Sequence, residues 1–380
     1  MKIPQNLPRF SDYTREEALR LLLEKEYGCP PPQPDTLEFH VVRREEDAFA
    51  GKAVHATVEA WVTFQGRGFS FPFHLVCPKA GQPVPGVVLL NFTPAVPDPY
   101  LPSEELCDLG LAVASFHCGD VSPDNGDFTS KAGGLFQVDR SLPTAPGKLA
   151  LWAWGASVVR EYLAACPEID QKAVAVAGHS RLGKTALLAG ALDKRFQFVF
   201  ANESGCSGAA LYRGKQGETA ADIQRVFPYW FSPSFASCTG DPEQLPFDQH
   251  FLLSLIAPRK LYVSSAAEDL WSDPAAEFLG CLAASPAFEA AGVTPQIHSF
   301  HEQILCMLNT VILGNFVGFV CVSGSYIREQ LRRLGLVLRK FDPEIIIPQG
   351  FLYSKKYALP QAAYELIEIT KNLEGESAPL

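Results

Sequence analysis

The sequence predicts an α/β fold: a doubly wound, mostly parallel sheet with antiparallel N-terminal strands, flanked by helices as a three-layer sandwich. Two observations predict it. Short apolar runs at 86–92, 110–116, 172–177, 196–201 and 259–265 have the length and composition of buried parallel strands, and helix-length segments such as 147–166 separate them. The nonapeptide Gly178-His179-Ser180-Arg181-Leu182-Gly183-Lys184-Thr185-Ala186 follows one of those runs and opens a helix-forming stretch, so it reads as a sharp strand-to-helix turn.

In chain order, Thr14 caps a short helix before Glu16 and Glu17 that runs to Tyr27, and the proline-rich stretch from Cys29 to Asp35 ends it. Residues 37–44, 53–64 and 69–77 alternate apolar and polar, the last two joined at Gln65-Gly66-Arg67-Gly68, which reads as an antiparallel lead-in to the sheet. The alternating strands and helices follow. The organisation expected is an N-terminal helix with antiparallel strands over 1–84, a catalytic core over 85–295 and an atypical C-terminal segment over 296–380.

With 380 residues, 47% hydrophobic and 19% charged, the chain can bury a sizeable core. A net charge of −10 excludes the broad basic face that a nucleic-acid partner requires. The ten cysteines lie at 29, 77, 107, 118, 166, 206, 238, 281, 306 and 321 without close pairs, and the N-terminus has no apolar secretory core. Together these lead to the expectation of thiols in a reducing, cytoplasmic compartment. The eight histidines are dispersed too, so neither a metal nor another cofactor is expected.

A serine hydroxyl attacks an ester only when a base removes its proton and donors receive the oxyanion, and a turn opening a helix aims N–H groups at developing negative charge. Ser180 is the candidate nucleophile. The common turn reads Gly-x-Ser-x-Gly, whereas here the second glycine, Gly183, comes one residue late. Arg181 and Lys184 beside the serine suggest an anionic substrate. Read alone, Gly178 to Lys184 also fits an ordinary strand–helix junction.

The ordered motifs Leu149-Ala150-Leu151-Trp152-Ala153-Trp154-Gly155-Ala156, Gly178 to Lys184, Asn202-Glu203-Ser204-Gly205, Ala257-Pro258-Arg259-Lys260 and Glu268-Asp269-Leu270-Trp271-Ser272-Asp273-Pro274 resemble the bacterial glucuronoyl esterases. These are 4-O-methyl-glucuronoyl methylesterases of the α/β-hydrolase superfamily, and the resemblance covers roughly 85–293. It implies hydrolysis of glucuronic acid esters on a small molecule or oligosaccharide. It makes Ser180 the nucleophile, gives Arg181 to the oxyanion hole, and places Lys184 on sugar hydroxyls. Glu218 falls where the family has a substrate-binding acid. The triad acid falls on Glu203 or on Asp269, and this chain has both. Alone, Glu203 also reads as an acid bonding loop amides, and Asp269 as a helix cap. Trp230 and Trp271 read as apolar platforms for a sugar face or as core.

The family's histidine segment has no match here. Downstream of the acids only His298 and His301 remain, in Gln296-Ile297-His298-Ser299-Phe300-His301-Glu302, and His301 is the candidate base. His117, following a strand end, is the other histidine that could face the site. The run Ile304 to Val322 is nineteen residues long, the lower limit for a membrane span. Its asparagines and glycines favour a globular segment instead. Two alternatives stand beside the uronate esterase: an acetyl-type carbohydrate esterase, and a relic or carbohydrate-binding protein lacking its base.

Overall fold

A computed structural model describes residues 2–95, 103–266 and 268–294, with the backbone of three further strands, Gly318–Cys321, Leu336–Lys340 and Gln349–Ser354. The chain divides into two compact units, Met1–Ile297 and His298–Leu380. In the second, the three strands pair antiparallel with Gln349–Ser354 in the middle. His298, His301 and most of the run from Ile304 to Val322 lie outside the described residues. Among the described residues no helix is long and apolar enough to cross a membrane.

The first unit is built on an eight-stranded sheet: β1 (Thr36–Asp47), β2 (Ala53–Phe64), β3 (Arg67–Pro78), β4 (Val84–Asn91), β5 (Ala112–His117), β6 (Ile169–His179), β7 (Phe198–Asn202) and β8 (Lys260–Ser264). Their order is β1-β2-β3-β5-β4-β6-β7-β8. β1, β2, β3 and β5 pair antiparallel, and every pairing from β5 to β8 is parallel. The alternating segments thus form the expected N-terminal meander, and the apolar runs form the expected parallel strands.

The local signals act as expected. Thr14 caps helix Arg15–Leu22 through a capping box with Glu17, and a wider turn, Leu23–Tyr27, carries the chain on to Gly28 at φ 83°. Glu26 in that turn is fully buried, where it accepts from Tyr212 Oη at 2.8 Å and Gln249 Nε2 at 2.9 Å, anchoring the N-terminal segment to the core. Val88, Val174 and Val176 on the central strands are fully buried, each contributing about 1.5–3 kcal/mol by the apolar surface removed from water.

Helix Lys148–Ala164 is buried on nearly every side, which its continuous apolar sequence requires. Its fully buried Trp152 donates from Nε1 to Ser122 O at 2.8 Å. Lys148, also fully buried, donates from Nζ to Ser122 Oγ at 2.8 Å and to Asp127 O. The helix thereby fixes the 122–128 loop, and parallel register aligns the carboxyl ends of β4 to β8. Asn91 pairs with His117, His179 with Asn202, and Asn202 with Ser264. The segment carrying the candidate nucleophile opens at that end of the sheet, where ligand sites of doubly wound folds gather.

Candidate active site

Ser180 stands alone between β6 and helix Arg181–Leu192 with φ 54° and ψ −126°. A non-glycine residue with positive φ costs about 1–3 kcal/mol and persists only where the surroundings impose it. Here its N–H donates to Asn202 O at 2.8 Å across the β6–β7 pair, and its own carbonyl accepts from Lys184 N. This geometry sets the segment apart from a relaxed strand–helix turn.

The late glycine has a steric cause. A Cβ on Gly178 would lie 2.1 Å from Leu182 O, and one on Gly183 would lie 3.0 Å from Asn202 O and 3.2 Å from Ser204 Cβ. The first turn of the helix therefore passes against the exit of β7, and that contact, one residue beyond the usual spacing, is where a side chain would be crowded.

The β7 exit also turns through positive φ, with Glu203 and Ser207 lacking a glycine's freedom. Glu203, Gly205 and Ser207 have φ of 50°, 56° and 56°. The Glu203 N–H donates to Ser264 O at 2.8 Å, and its Oε1 accepts from Ala266 N. Its buried Oε2 has no partner among the described residues. Burial lifts this carboxyl to about 7 against the pull of the Ala266 bond, and Glu277 and Asp269 raise it further. Asp269 takes the opposite state. Burial pushes it up, but bonds from Ser272 Oγ at 2.6 Å and Ser272 N at 3.2 Å, with Trp271 N–H and Glu203, outweigh burial and hold it below the usual carboxylate range. The two candidate acids are thus neighbours with their affinities for protons driven apart.

Both cations beside the serine are paired within the protein. Arg181 Nε lies 2.9 Å from Asp124 Oδ2, and Lys184 Nζ lies 3.5 Å from Glu218 Oε2 while donating to Ser204 O at 2.7 Å. Each positive charge has a carboxylate partner because partly buried charge is costly when unpaired. The Arg181 guanidinium also sits 4.6 Å over the Phe92 ring and 5.7 Å from Trp230.

The tryptophans separate. Trp230 is 5% exposed, stacked on Phe227 at 4.0 Å, and its Nε1 donates to Asp124 Oδ1 at 2.8 Å, so it walls the Arg181–Asp124 pair and offers no open platform. Trp271 is 58% exposed, which removes the core reading for it. Sequence reasoning missed Asp124, which sits in an unremarkable Asp-Asn-Gly-Asp turn, and Phe92. Neither carries a motif signal, and both reach Arg181 only through the fold.

The six histidines among the described residues have other neighbours. His179 Nδ1 accepts from Asn202 Nδ2 at 2.8 Å, and Asn202 Oδ1 accepts from Ser264 Oγ at 2.7 Å. His117 Nδ1 lies 3.4 Å from Asp120 Oδ2, and His250 Nε2 meets Pro8 O at 3.0 Å. His55 and His74 meet each other at 3.1 Å, and His40 lies 3.6 Å from Glu38. None of them is hydrogen-bonded to the Ser180 hydroxyl. His301, the candidate base, lies outside the described residues.

A positive-φ serine between strand and helix, a buried Glu203 and a partly buried Asp269 after the next two strands, and an arginine beside the serine are the groups an acyl-transfer site would draw on. The family model described as glucuronyl esterase, fungi, matches residues 61–292. The chain belongs to the glucuronoyl esterases. The family match begins well before 85, taking in part of β2 and all of β3.

Among curated relatives, a carbohydrate esterase, MZ0003, from an unknown prokaryotic organism is 37% identical over 245 residues, covering 63% of this chain and 54% of that protein. A 4-O-methyl-glucuronoyl methylesterase of Schizophyllum commune is 30% identical over 302 residues, covering 76% and 70%. A solved glucuronoyl esterase from Solibacter usitatus superposes with a TM-score of 0.70 at 30% identity, over 78% of this chain and 91% of that one. The glucuronoyl esterase fold is therefore an α/β-hydrolase fold in this chain too, although the chain spans about half the length of the first of these curated relatives, 54%.

Proposed function

We propose that this glucuronoyl esterase homologue hydrolyses esters of glucuronic or 4-O-methyl-glucuronic acid by a serine acyl-enzyme route. The observation that carries the reading is Ser180 held at φ 54° at the carboxyl end of β6, in a chain of this family. Ser180 Oγ attacks the ester carbonyl, and the carbonyl oxygen gains negative charge beside Arg181 and the helix N-terminus. The alcohol leaves with a proton, and water releases the uronic acid from the serine ester. Lys184 Nζ has three N–H bonds, of which Ser204 O and Glu218 take two, leaving one for a sugar hydroxyl. Exposed Trp271 offers an apolar face to the ring. The proposed base is a histidine, with His301 the candidate from the sequence.

The expected result is hydrolysis of benzyl glucuronate at a higher kcat/KM than acetylated xylose. The reverse preference would replace this reading by an acetyl-type carbohydrate esterase. A broader ester range is said of one similar solved structure, an esterase from a marine bacterial metagenome described as promiscuous.

The acid pair sets a pH profile. Asp269, held below the usual range, is ionised throughout pH 6–8 and carries the charge that stabilises the imidazolium, while Glu203, near 7, loses its proton across that interval and adds a second negative charge. Parent kcat/KM therefore rises from pH 6 to 8. Glu203→Gln, which mimics the protonated form, stays within about threefold of the parent at pH 6 and falls behind above pH 7. Identical profiles for parent and variant would remove Glu203 as the source of the rise.

A second reading, a relic with a preserved pocket, is favoured by one observation: no histidine among the described residues is hydrogen-bonded to the Ser180 hydroxyl. A purified chain that hydrolyses neither ester would establish it. The eight described cysteines are unpaired, which supports a reducing, cytoplasmic compartment for the enzyme. Recovery of the native protein from culture medium would overturn that placement.

A further inference from the structure

We infer that Asp273 is a positioning residue that clasps two loops together and so sets the distance between the two sides of the sugar site. This rests on the esterase reading above. One loop, 214–218, carries Glu218, the partner of Lys184. The other, 268–273, carries Asp269 and Trp271.

Asp273 stands before helix Pro274–Ala290 with φ 62°, a left-handed conformation that aspartate and asparagine tolerate best after glycine. Its two oxygens have separate tasks. Oδ1 accepts from Ala276 N at 3.1 Å and caps the helix. Oδ2 reaches across to the other loop, accepting from Gln216 N at 2.6 Å and Gly217 N at 3.3 Å, with Lys215 Nζ at 3.8 Å.

Three further contacts close the seam. Lys215, its side chain 3% exposed, donates to Ser272 O at 3.3 Å. Glu218 N–H donates to Trp271 O at 2.8 Å. A Cβ on Gly217 would lie 2.3 Å from Trp271 O and 2.5 Å from Leu270 O, so the two backbones touch with no room for a side chain.

The consequence is mechanical. The 214–218 loop brings Glu218 to Lys184 and the 268–273 loop carries the exposed Trp271, so on the esterase reading a pyranose held by both loops requires a fixed spacing between them. Asp273 touches neither substrate nor reacting atoms, and acts by keeping that gap constant.

Asp273→Asn isolates this role. Asparagine keeps the left-handed backbone and, through Oδ1, the helix cap. It places an NH2 where Oδ2 received two N–H groups and faced an ammonium. The variant raises KM for benzyl glucuronate about tenfold, weakens glucuronic acid binding followed by tryptophan fluorescence by the same factor, and leaves p-nitrophenyl acetate, which has no ring, within about twofold. Gly217→Ala, which pries the same seam apart from the other loop, reproduces the split. In a double-mutant cycle, the KM effects of Asp273→Asn and Glu218→Gln are less than additive, because part of the Asp273 effect runs through the placement of Glu218.

Equal losses on both esters, or additive KM effects, would overturn the inference and leave Asp273 as a helix cap only. A parent that neither hydrolyses benzyl glucuronate nor binds glucuronic acid would overturn the esterase reading itself, and this inference with it. Parent activity with additive variants would sink the inference alone.

Discussion

Ser180→Ala lowers benzyl glucuronate hydrolysis by at least about 10³-fold while leaving the fold intact, because loss of a nucleophile removes the covalent route and leaves only oxyanion binding and proximity. The substitution is conformationally clean. Serine and alanine both pay for φ 54°, and the backbone bonds to Asn202 O and from Lys184 N involve no side-chain atom. Thermal midpoints of parent and variant therefore coincide. A fluorophosphonate probe supplies a readout independent of the natural substrate, labelling the parent and not the variant. Labelling that survives the substitution would place the nucleophile elsewhere in the chain.

Arg181→Ala is expected to cost about 10²–10³-fold in kcat, the range found on deleting one oxyanion donor. The guanidinium is held by Asp124 at 2.9 Å from Nε, by the Phe92 face and by Trp230, so its position beside Ser180 is fixed before any charge develops. Arg181→Lys keeps the charge but loses the planar fork, and recovers only part of the rate. Asp124→Asn produces a smaller fall in kcat with little change in KM, since it frees the guanidinium without removing it. If Arg181→Ala raised KM and spared kcat, the arginine would be a ground-state binding group and the oxyanion would be held by backbone N–H groups alone.

Much of the fold was legible because it is written locally. The alternation in 53–64, the valine-rich runs that became β4 and β6, the capping box at Thr14 and Glu17 and the long apolar helix from Lys148 each express a short-range period that burial then selects. The turn at Ser180 was legible for the same reason, since strand, small residue, serine and helix are contiguous.

The electrostatic character of the site was not legible. Two cations beside the serine suggested an anionic substrate, and the structure pairs both with carboxylates from distant segments: Asp124 for Arg181, Glu218 for Lys184. Trp230 and Trp271 could not be told apart by composition, yet one is stacked against Phe227 and the other faces solvent.

By itself the sequence determined the strand succession, the placement of Ser180 and the family, because each depends on residues near one another along the chain. Tertiary structure alone decided which carboxylate meets which cation, how Glu203 and Asp269 divide their proton affinity, and which aspartate laces the two site loops together. Those outcomes turn on burial and on approaches of a few ångströms between segments tens of residues apart, and neither quantity is encoded in local pattern.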